Sequence, residues 1–352
     1  MRRIGVGVLG ATGMVGQRFL SLLDGHPWFD VRYLGASERS AGKQYSDAAH
    51  WVLDAPMPEW AGDITVGACD PAASGADGCD VLFSALPSSV AGPVEEAFAR
   101  AGGIVATNAA SHRMDPDVPI LIPEVNADHL GVIDVQRERR GWEGAIVTNA
   151  NCTTTGLALG LYPLMDLDLS RVAVTTLQAL SGAGYPGVAS MAIIDNVIPF
   201  IGGEEEKVAA ETRRILGSWS VEEGFTDAPV EVSATCTRVN VTDGHLESVF
   251  ASLDGGPEDV RKAFRDFKDP MADLGLPTSP SRALMLLDED DRPQPRRDRH
   301  RGKGMTVTIG RVRPDIVLGV RFLLLVHNTI RGAAGASIIN AELMVRRGIV
   351  PG

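Results

Sequence analysis

The sequence lacks an excess of positive charge, and this excludes two broad classes of partner. Its 352 residues contain 33 Lys and Arg against 45 Asp and Glu, which gives a formal net charge of −12. Nucleic acids and anionic membrane surfaces both need a basic face on the protein that binds them. We therefore expect a small-molecule substrate, which local Arg or Lys residues must hold if it is an anion.

Long apolar runs and cysteines are also scarce. The longest apolar run, 316–326, is interrupted by Arg321 and falls short of the ~20 residues that a membrane span needs. The four cysteines form no C-x-x-C pair and have no zinc-like spacing to the seven histidines. So few cysteines in so long a chain favour a reducing, cytoplasmic location, and we expect neither a membrane anchor nor a metal site.

Strand-like and helix-like segments alternate in the first part of the chain. Strand character occurs at 3–9, 31–36, 81–86 and 104–108, and helical spacing at 14–23 and 89–101. This alternation predicts a Rossmann-like α/β domain with a parallel sheet covered on both faces.

From about residue 152 the pattern changes to strands separated by long insertions, which favours an α+β domain with a mixed sheet. Helices are predicted at 155–165 and 203–216, and strands at 171–179, 229–241, 245–253, 305–313 and 317–326. We expect a cofactor-binding domain of 1–151 plus a C-terminal helix at about 333–352, and a catalytic and dimerisation domain of 152–332. The segment 288–303, dense in charge and proline, is interpreted as a solvated loop.

A glycine-rich turn lies between the first strand and the first helix. Gly10, Gly13 and Gly16 form a G-x-x-G-x-x-G motif. Glycines at such a turn let backbone N–H groups approach a pyrophosphate at the helix N-terminus. The context favours dinucleotide binding over a purely structural turn.

The end of the second strand bears on the choice of dinucleotide. Ser37, Arg39 and Ser40 suit the 2′-phosphate of NADP, because hydroxyls and a guanidinium bind phosphate well. Glu38 suits the ribose hydroxyl of NAD and keeps that alternative open. NADP is the favoured cofactor.

A second motif places Cys152 between an apolar segment and a helix. The positive end of the helix dipole and its free N–H groups would stabilise a thiolate there, which predicts a nucleophile. The alternative is a small buried apolar residue, which the polar neighbours Asn151 and Thr153 make less fitting.

Two further groups of residues have suitable chemistry. Arg238 offers a planar fork for a carboxylate, and His245, seven residues later, is a suitable acid/base partner for a thiol. Glu204 and Lys207 share one helix face, where they could hold an amino group and an anion. The alternatives are a satisfied turn histidine and a solvated helix start.

Taken together, these motifs make the sequence resemble the aspartate-semialdehyde dehydrogenases, in the branch of archaeal and fungal enzymes. The resemblance covers nearly the whole chain. It rests on the glycine-rich start and on the runs NCTT at 151–154, LQALSGAGYP at 177–186, DNVIP at 195–199, GEEEK at 203–207, RPQPR at 292–296 and HNTIRGAAG at 327–335.

The resemblance implies roles for individual residues. Cys152 would be the nucleophile, His245 the acid/base, and Gln178 the residue that orients the substrate. The implied substrate-binding residues are Arg238 and Glu204 for the carboxylate and amino groups, and Lys207, Arg113 and Asn151 for phosphate. The implied cofactor-binding residues are Gly10, Thr12, Gly13, Met14, Val15, Ser37, Arg39, Ser40, Ser84, Gly184 and Asn328.

The implied reaction is the NADPH-dependent reduction of aspartyl phosphate to the semialdehyde, through a Cys thioester and without a metal. It would serve the pathway to Lys, Met, Thr and Ile, in a homodimer or homotetramer. Two alternatives stay open: a reductase of acyl-CoA thioesters such as malonyl-CoA, and a non-catalytic NADP-binding thiol sensor.

Overall fold

The structure, a computed structural model, describes residues 3–350, and its strands form two large sheets and one small one. The strands are β1 (Ile4–Leu9), β2 (Phe29–Ala36), β3 (Gly67–Ala68), β4 (Val81–Ser84), β5 (Ile104–Thr107), β6 (Ile120–Leu121), β7 (Ala145–Asn149), β8 (Arg171–Gln178), β9 (Ser218–Ser220), β10 (Gly224–Thr226), β11 (Glu231–Arg238), β12 (His245–Ser252), β13 (Leu284–Leu287), β14 (Val307–Asp315) and β15 (Gly319–Val326).

The helices cover the sheets and connect them. They are α1 (Met14–Leu23), α2 (Tyr45–Ala48), α3 (Glu59–Gly62), α4 (Ser88–Arg100), α5 (Pro123–Asn126), α6 (Val132–Arg140), α7 (Cys152–Leu161), α8 (Ser190–Ile193), α9 (Glu204–Leu216), α10 (Pro257–Asp266), α11 (Pro295–Asp298) and α12 (Gly335–Arg346). A π-helical turn, Ile330–Ala334, runs directly into α12.

The first sheet is parallel throughout and has the strand order β3-β2-β1-β4-β5-β7-β6. Apolar side chains pack on both of its faces, as in a doubly wound fold. The chain leaves β1 towards β2 on one side and reaches β4 on the other, so the strand order reverses beside β1. Ligands bind in the crevice at such a reversal in open α/β sheets, and the glycine-rich turn lies there.

The second sheet is mixed and has the order β11-β8-β12-β15-β14-β13. Strands β8 and β11 are parallel, whereas β12 is antiparallel to both β8 and β15. The structure confirms the predicted fold class. The C-terminal helix α12 packs into the core of the first sheet, with Ile338, Ile339 and Leu343 fully buried there.

The interpretation of 288–303 as a solvated loop holds for most of the segment, but its centre forms the short helix α11 and is partly buried. Asp298 is fully buried and accepts hydrogen bonds from Arg292, from Arg301 and from the Gln294 N–H. Burial opposes ionisation of this carboxyl, but the donors outweigh it and lower the pKa of Asp298 to about 2. The charges are dense because they pair with one another, and the segment packs beside the turn that precedes β12.

Among residues 3–350, the structure contains no helix with both the length and the apolar character needed to cross a membrane.

Candidate active site

Three predicted site residues lie in one row across adjacent strands of the second sheet. Arg238 is the last residue of β11 and pairs with Gln178, the last residue of β8. His245 is the first residue of β12, beside the end of β8 because Leu246 pairs with Leu177. The register therefore brings together side chains that are up to 67 residues apart in sequence.

Cys152 reaches this row from the first sheet. It is the first residue of α7 and is separated from the end of β7 by two residues. The sequence predicts this place at a helix N-terminus, although the helix begins three residues before the predicted 155. The Asn151 side chain caps the helix, and its oxygen accepts the N–H groups of Thr153 at 2.9 Å and Thr154 at 3.2 Å. The π-helical turn packs against the other side of Cys152, where a Cβ on Gly332 would lie 2.8 Å from the Cys152 Cβ. The nucleophile is therefore fixed from two sides.

Cys152 and His245 form a contact pair, with 3.2 Å between Sγ and Nε2. Loss of water inside the site raises the pKa of the Cys152 thiol to about 12, with Glu204 acting in the same direction and Arg113 and Arg238 opposing it. Desolvation and Glu204 therefore oppose the thiolate that the helix end is expected to favour. The sequence shows the helix end but not the burial.

Glu204 links two other predicted residues. Its Oε1 accepts hydrogen bonds from Asn151 Nδ2 and from Gln178 Nε2, each at 2.9 Å. At the other end of the Gln178 amide, the Thr176 hydroxyl donates to Oε1 at 2.9 Å. The Gln178 amide is thus clamped between two partners, and sequence reasoning missed Thr176, which carried no motif of its own.

Arg238 is buried beside this cluster, and one nitrogen, Nη1, donates to the Ala179 carbonyl at 2.7 Å. A Cβ on Gly182 would lie 2.7 Å from that nitrogen and 3.2 Å from His245 Nε2. The absence of a side chain at Gly182 leaves room next to both groups. The Arg238 guanidinium and the His245 imidazole therefore border the same small space beside Cys152 Sγ.

Arg113 comes to the site with a partner that sequence reasoning missed. Its Nη1 donates to Glu211 Oε1 at 3.0 Å, and Glu211 Oε2 accepts the Asn151 N–H at 2.6 Å. Both side chains are buried. Glu211 lies seven residues after Glu204 on the buried face of α9, next to Val208 and Ile215. Acidic residues in apolar positions of a helix were the available signal.

Lys207 is on α9 one turn after Glu204 and is partly exposed. Asn151 is buried, and it contributes both its helix cap and its bond to Glu204.

The glycine-rich turn has a shape that suits a dinucleotide. Gly10 has φ +77°, and a Cβ there would lie 2.7 Å from the Ala85 carbonyl oxygen. The N–H groups of Gly10 and Ala11 bind the Gly35 carbonyl at 2.8 and 3.0 Å, which joins the turn to the end of β2. Gly13 is exposed and precedes α1 without a side-chain cap, so the helix N-terminus is free to receive a phosphate. Thr12, Met14 and Val15 are partly exposed along this turn.

The residues that follow β2 lie at the same end of the first sheet as the glycine-rich turn, which follows β1. Ser37, Glu38 and Arg39 are exposed and Ser40 is partly exposed. Since β1 and β2 are neighbours and parallel, this segment lies beside the glycine-rich turn. The structure therefore places Ser37, Arg39 and Ser40 beside the glycine-rich turn.

Two side chains assigned to the cofactor are occupied elsewhere. Ser84 is fully buried and its hydroxyl donates to Glu95 Oε1 at 2.6 Å. Asn328 is buried, donates to Ser181 Oγ at 2.7 Å and accepts the Gly244 N–H at 2.8 Å. Its amide thus connects the turn before His245 to the loop 181–187. This loop contains Gly184, whose φ is +72°.

Two family models match most of the chain. Residues 5–133 match the semialdehyde dehydrogenase NAD-binding domain, and 161–331 match the semialdehyde dehydrogenase dimerisation domain. Both models describe semialdehyde dehydrogenases.

Proteins from archaea and fungi are similar to this chain over nearly their full length. The aspartate-semialdehyde dehydrogenase of Archaeoglobus fulgidus is 52% identical over 99% of this chain and 100% of its own. That of Schizosaccharomyces pombe is 44% identical over 98% of this chain and 99% of its own. The chain belongs to the aspartate-semialdehyde dehydrogenase family. This membership confirms the resemblance found in the motifs. A crystal structure of the Candida albicans enzyme with NADP superposes with a TM-score of 0.91, at 41% identity over 99% of this chain and 100% of that one.

Family membership assigns the chain to the oxidoreductases of amino-acid biosynthesis, with an NAD(P)-binding domain and a dimerisation domain.

Proposed function

We propose that this protein reduces L-aspartyl-4-phosphate to L-aspartate 4-semialdehyde and phosphate, through a thioester on Cys152 and in the pathway to Lys, Met, Thr and Ile. The observation that carries the proposal is the 3.2 Å contact between Cys152 Sγ and His245 Nε2, beside Arg238 and Glu204. A cysteine nucleophile divides the reaction into acyl transfer and reduction, so the acyl group stays bound between the two steps.

The surrounding side chains suit an amino acid whose side chain carries an acyl phosphate. A carboxylate fits the free part of the Arg238 fork, and an ammonium group fits the Glu204 carboxylate. Arg113, Asn151 and Lys207 would hold the phosphoryl group near the N-terminus of α7. Gln178 would orient the carbonyl group at the sulfur. Cys152, His245 and Gln178 are the proposed catalytic residues.

The cofactor proposed for the reduction is NADP. When bound, the dinucleotide supplies the hydride. Gly10 and the residues from Thr12 to Val15 would hold its pyrophosphate, and Ser37, Arg39 and Ser40 its 2′-phosphate. The exposed guanidinium of Arg39 favours NADP over NAD, and the NADP found with the similar Candida albicans enzyme supports this choice. Gly184 is kept as a proposed contact, as are the backbones of Ser84 and Asn328.

We also propose the division into 1–151 plus 333–352 and 152–332, a homodimer or homotetramer, and a cytoplasmic location. The name of the family model for 161–331 supports self-association.

The competing activity is the reduction of an acyl-CoA thioester such as malonyl-CoA. That substrate has no amino group, so the buried Glu204 carboxylate would have no partner on it. A redox sensor needs only the thiol, and the arrangement of Arg238, Gln178 and Glu204 around it would have no use.

One assay separates these activities. NADP+ reduction is followed with aspartate semialdehyde plus phosphate, and in parallel with malonate semialdehyde plus coenzyme A. We expect turnover only with the first pair. Turnover only with the second pair would establish the competing activity. Turnover with neither pair would favour the non-catalytic redox sensor.

A further inference from the structure

The π-helical turn beside the nucleophile contains a buried ion pair. Among residues 3–350, Arg331 has the largest side chain that is fully buried, at 1% exposure. Its guanidinium donates to both oxygens of Glu124, from Nη1 at 2.9 Å and from Nη2 at 2.6 Å. Glu124 is fully buried in α5, and the pair therefore joins two elements that are 207 residues apart in sequence.

The next residues of the turn pack directly on the nucleophile. A Cβ on Gly332 would lie 2.8 Å from the Cys152 Cβ and 2.9 Å from its Cα. The Ala333 carbonyl accepts a hydrogen bond at 2.9 Å from the Nδ2 of Asn149, the last residue of β7. Because Gly332 has no side chain, the backbone of the turn contacts Cys152, and a displacement of the turn would displace the thiol.

Stability does not explain this ion pair. Replacing a buried pair by apolar side chains of similar size is often neutral or stabilising, because the desolvation of two charges offsets their attraction. The Nε of Arg331 is also buried and has no hydrogen-bond partner among residues 3–350, which adds a further cost. The forked guanidinium does fix a direction, since two parallel N–H···O bonds restrict the geometry more than packing does.

We propose that Arg331 and Glu124 are positioning residues that hold the π-helical turn, and through Gly332 the Cys152 side chain, in the place that the reaction needs. This inference rests on the proposed function, because it assigns to the pair an effect on turnover at Cys152. A displacement of about 1 Å at a reacting group can lower the rate by about a hundredfold. Single-turn π-helical segments frequently occur at functional sites, which agrees with such a role.

The first test replaces the pair by apolar side chains, in the double variant Arg331→Met/Glu124→Leu. We expect it to unfold at the same denaturant concentration as the wild type or at a higher one. Its kcat should fall by about a hundredfold, whereas the KM for NADP+ should stay unchanged. A lower unfolding midpoint together with a normal kcat per folded molecule would show a structural role alone and would overturn the proposal.

The matched control is Arg140→Met/Asp117→Leu. Asp117 is buried and accepts hydrogen bonds from Arg140 Nε and Nη2, each at 2.6 Å, so this pair has the same forked geometry away from the candidate site. Its removal should leave kcat unchanged. Equal losses of kcat in the two double variants would overturn the proposal.

Arg331→Lys covers the case in which the double variant does not fold. The lysine ammonium keeps the charge but does not reproduce the forked contact with both carboxylate oxygens. Its kcat should therefore lie between those of the wild type and the double variant. A wild-type kcat in Arg331→Lys, or failure of both variants to fold, would overturn the proposal.

A second measurement reads the position of Cys152 without turnover. The full chain is labelled with ¹³C at the Cβ of its four cysteines, and the Cys152 NMR signal is identified by its loss in Cys152→Ser. This signal should shift or split in Arg331→Met/Glu124→Leu and stay unchanged in the control. An unchanged Cys152 signal would overturn the proposal. An inactive wild type would instead contradict the proposed function, and the NMR measurement would still report the placement.

Discussion

Around Cys152 the polar side chains are buried and bind one another, whereas along the edge of β1 and β2 they are exposed and bind little else in the protein. Asn151, Gln178, Glu204 and Glu211 form a hydrogen-bonded group in which no residue is more than 7% exposed. Ser37 and Arg39 are exposed. The proposed chemistry, which depends on sub-ångström placement, thus lies on packed strands and helix ends, and the proposed cofactor choice depends on free side chains.

The largest expected effect is at the nucleophile. Cys152→Ala should lower the turnover with aspartate semialdehyde and phosphate below detection, because no other group on the substrate side can carry the acyl intermediate. NADP binding, measured by fluorescence titration, should stay within about twofold of the wild type, since the proposed pyrophosphate site lies along the edge of β1 and β2. Substantial residual turnover would remove the covalent route.

The second largest effect is expected at Glu211, whose carboxylate binds Arg113 and the Asn151 N–H. Glu211→Gln removes the charge beside Arg113, so the free energy of unfolding should fall by about 3–5 kcal/mol. The KM for phosphate should rise at least tenfold, because Arg113 loses the partner that orients it, while the KM for NADP+ should stay unchanged.

The matched control for Glu211 is Asp117→Asn. Asp117 is also buried and paired with an arginine, Arg140, but it does not contact the candidate site. This variant should lose stability in chemical denaturation without a change in the KM for phosphate. If both variants show the same KM for phosphate, Glu211 has a structural role alone.

The cofactor edge should respond more weakly and more selectively. Arg39→Ala removes a charge-assisted contact of about 1.5–3 kcal/mol, so the KM for NADPH should rise by one to two orders of magnitude. The KM for NADH should change far less, and Glu38→Ala serves as the neighbouring control. An equal rise in KM for NADPH and NADH would show that Arg39 has a structural role. It would also weaken the contrast between the exposed edge of β1 and β2 and the buried group around Cys152.

The smallest effect on turnover concerns a buried carboxyl on the substrate side that the proposed reaction does not use. Glu247 is fully buried two residues after His245, and neither of its oxygens has a hydrogen-bond partner among residues 3–350. Burial raises the pKa of Glu247 well above its ordinary value.

The sign of the resulting pH dependence follows from linkage. A carboxyl with a raised pKa in the folded state contributes stability below its unfolded pKa of ~4.3 and loses it as the pH rises towards the folded value, by about 1.4 kcal/mol per pH unit. Glu247→Gln should therefore be more stable than the wild type at pH 8, with the gain shrinking near pH 4. Denaturant unfolding at both pH values measures this, and the exposed Glu231→Gln should show no such difference.

The sequence predicts the parts of the site that are local. A strand, a glycine-rich turn and a helix at the start of the chain, and Cys152 at the beginning of α7, all appear where the spacing indicates. The contacts that cross the sheets are not visible in spacing. Glu211 reaches Arg113 across 98 residues, and Gly332 approaches Cys152 across 180, so nothing near either residue in the sequence indicates its role.

Burial is the other quantity that spacing does not supply. The dense charges of 288–303 suggested solvent, yet Asp298 is buried and fully paired. The helix end at Cys152 suggested a thiolate, yet desolvation raises the pKa of this thiol to about 12. Both differences arise because a charged or polar side chain ionises and pairs differently in water and in a packed site.

The most direct test of the account is to trap the intermediate. The protein is mixed with aspartate semialdehyde and NADP+ without phosphate, quenched in acid, digested, and analysed by peptide mass spectrometry. We predict one aspartyl thioester on the peptide that contains Cys152, lost on addition of phosphate and absent in Cys152→Ala. An acyl group on Cys69, Cys79 or Cys236, or NADPH formation with no acylated peptide, would contradict the account.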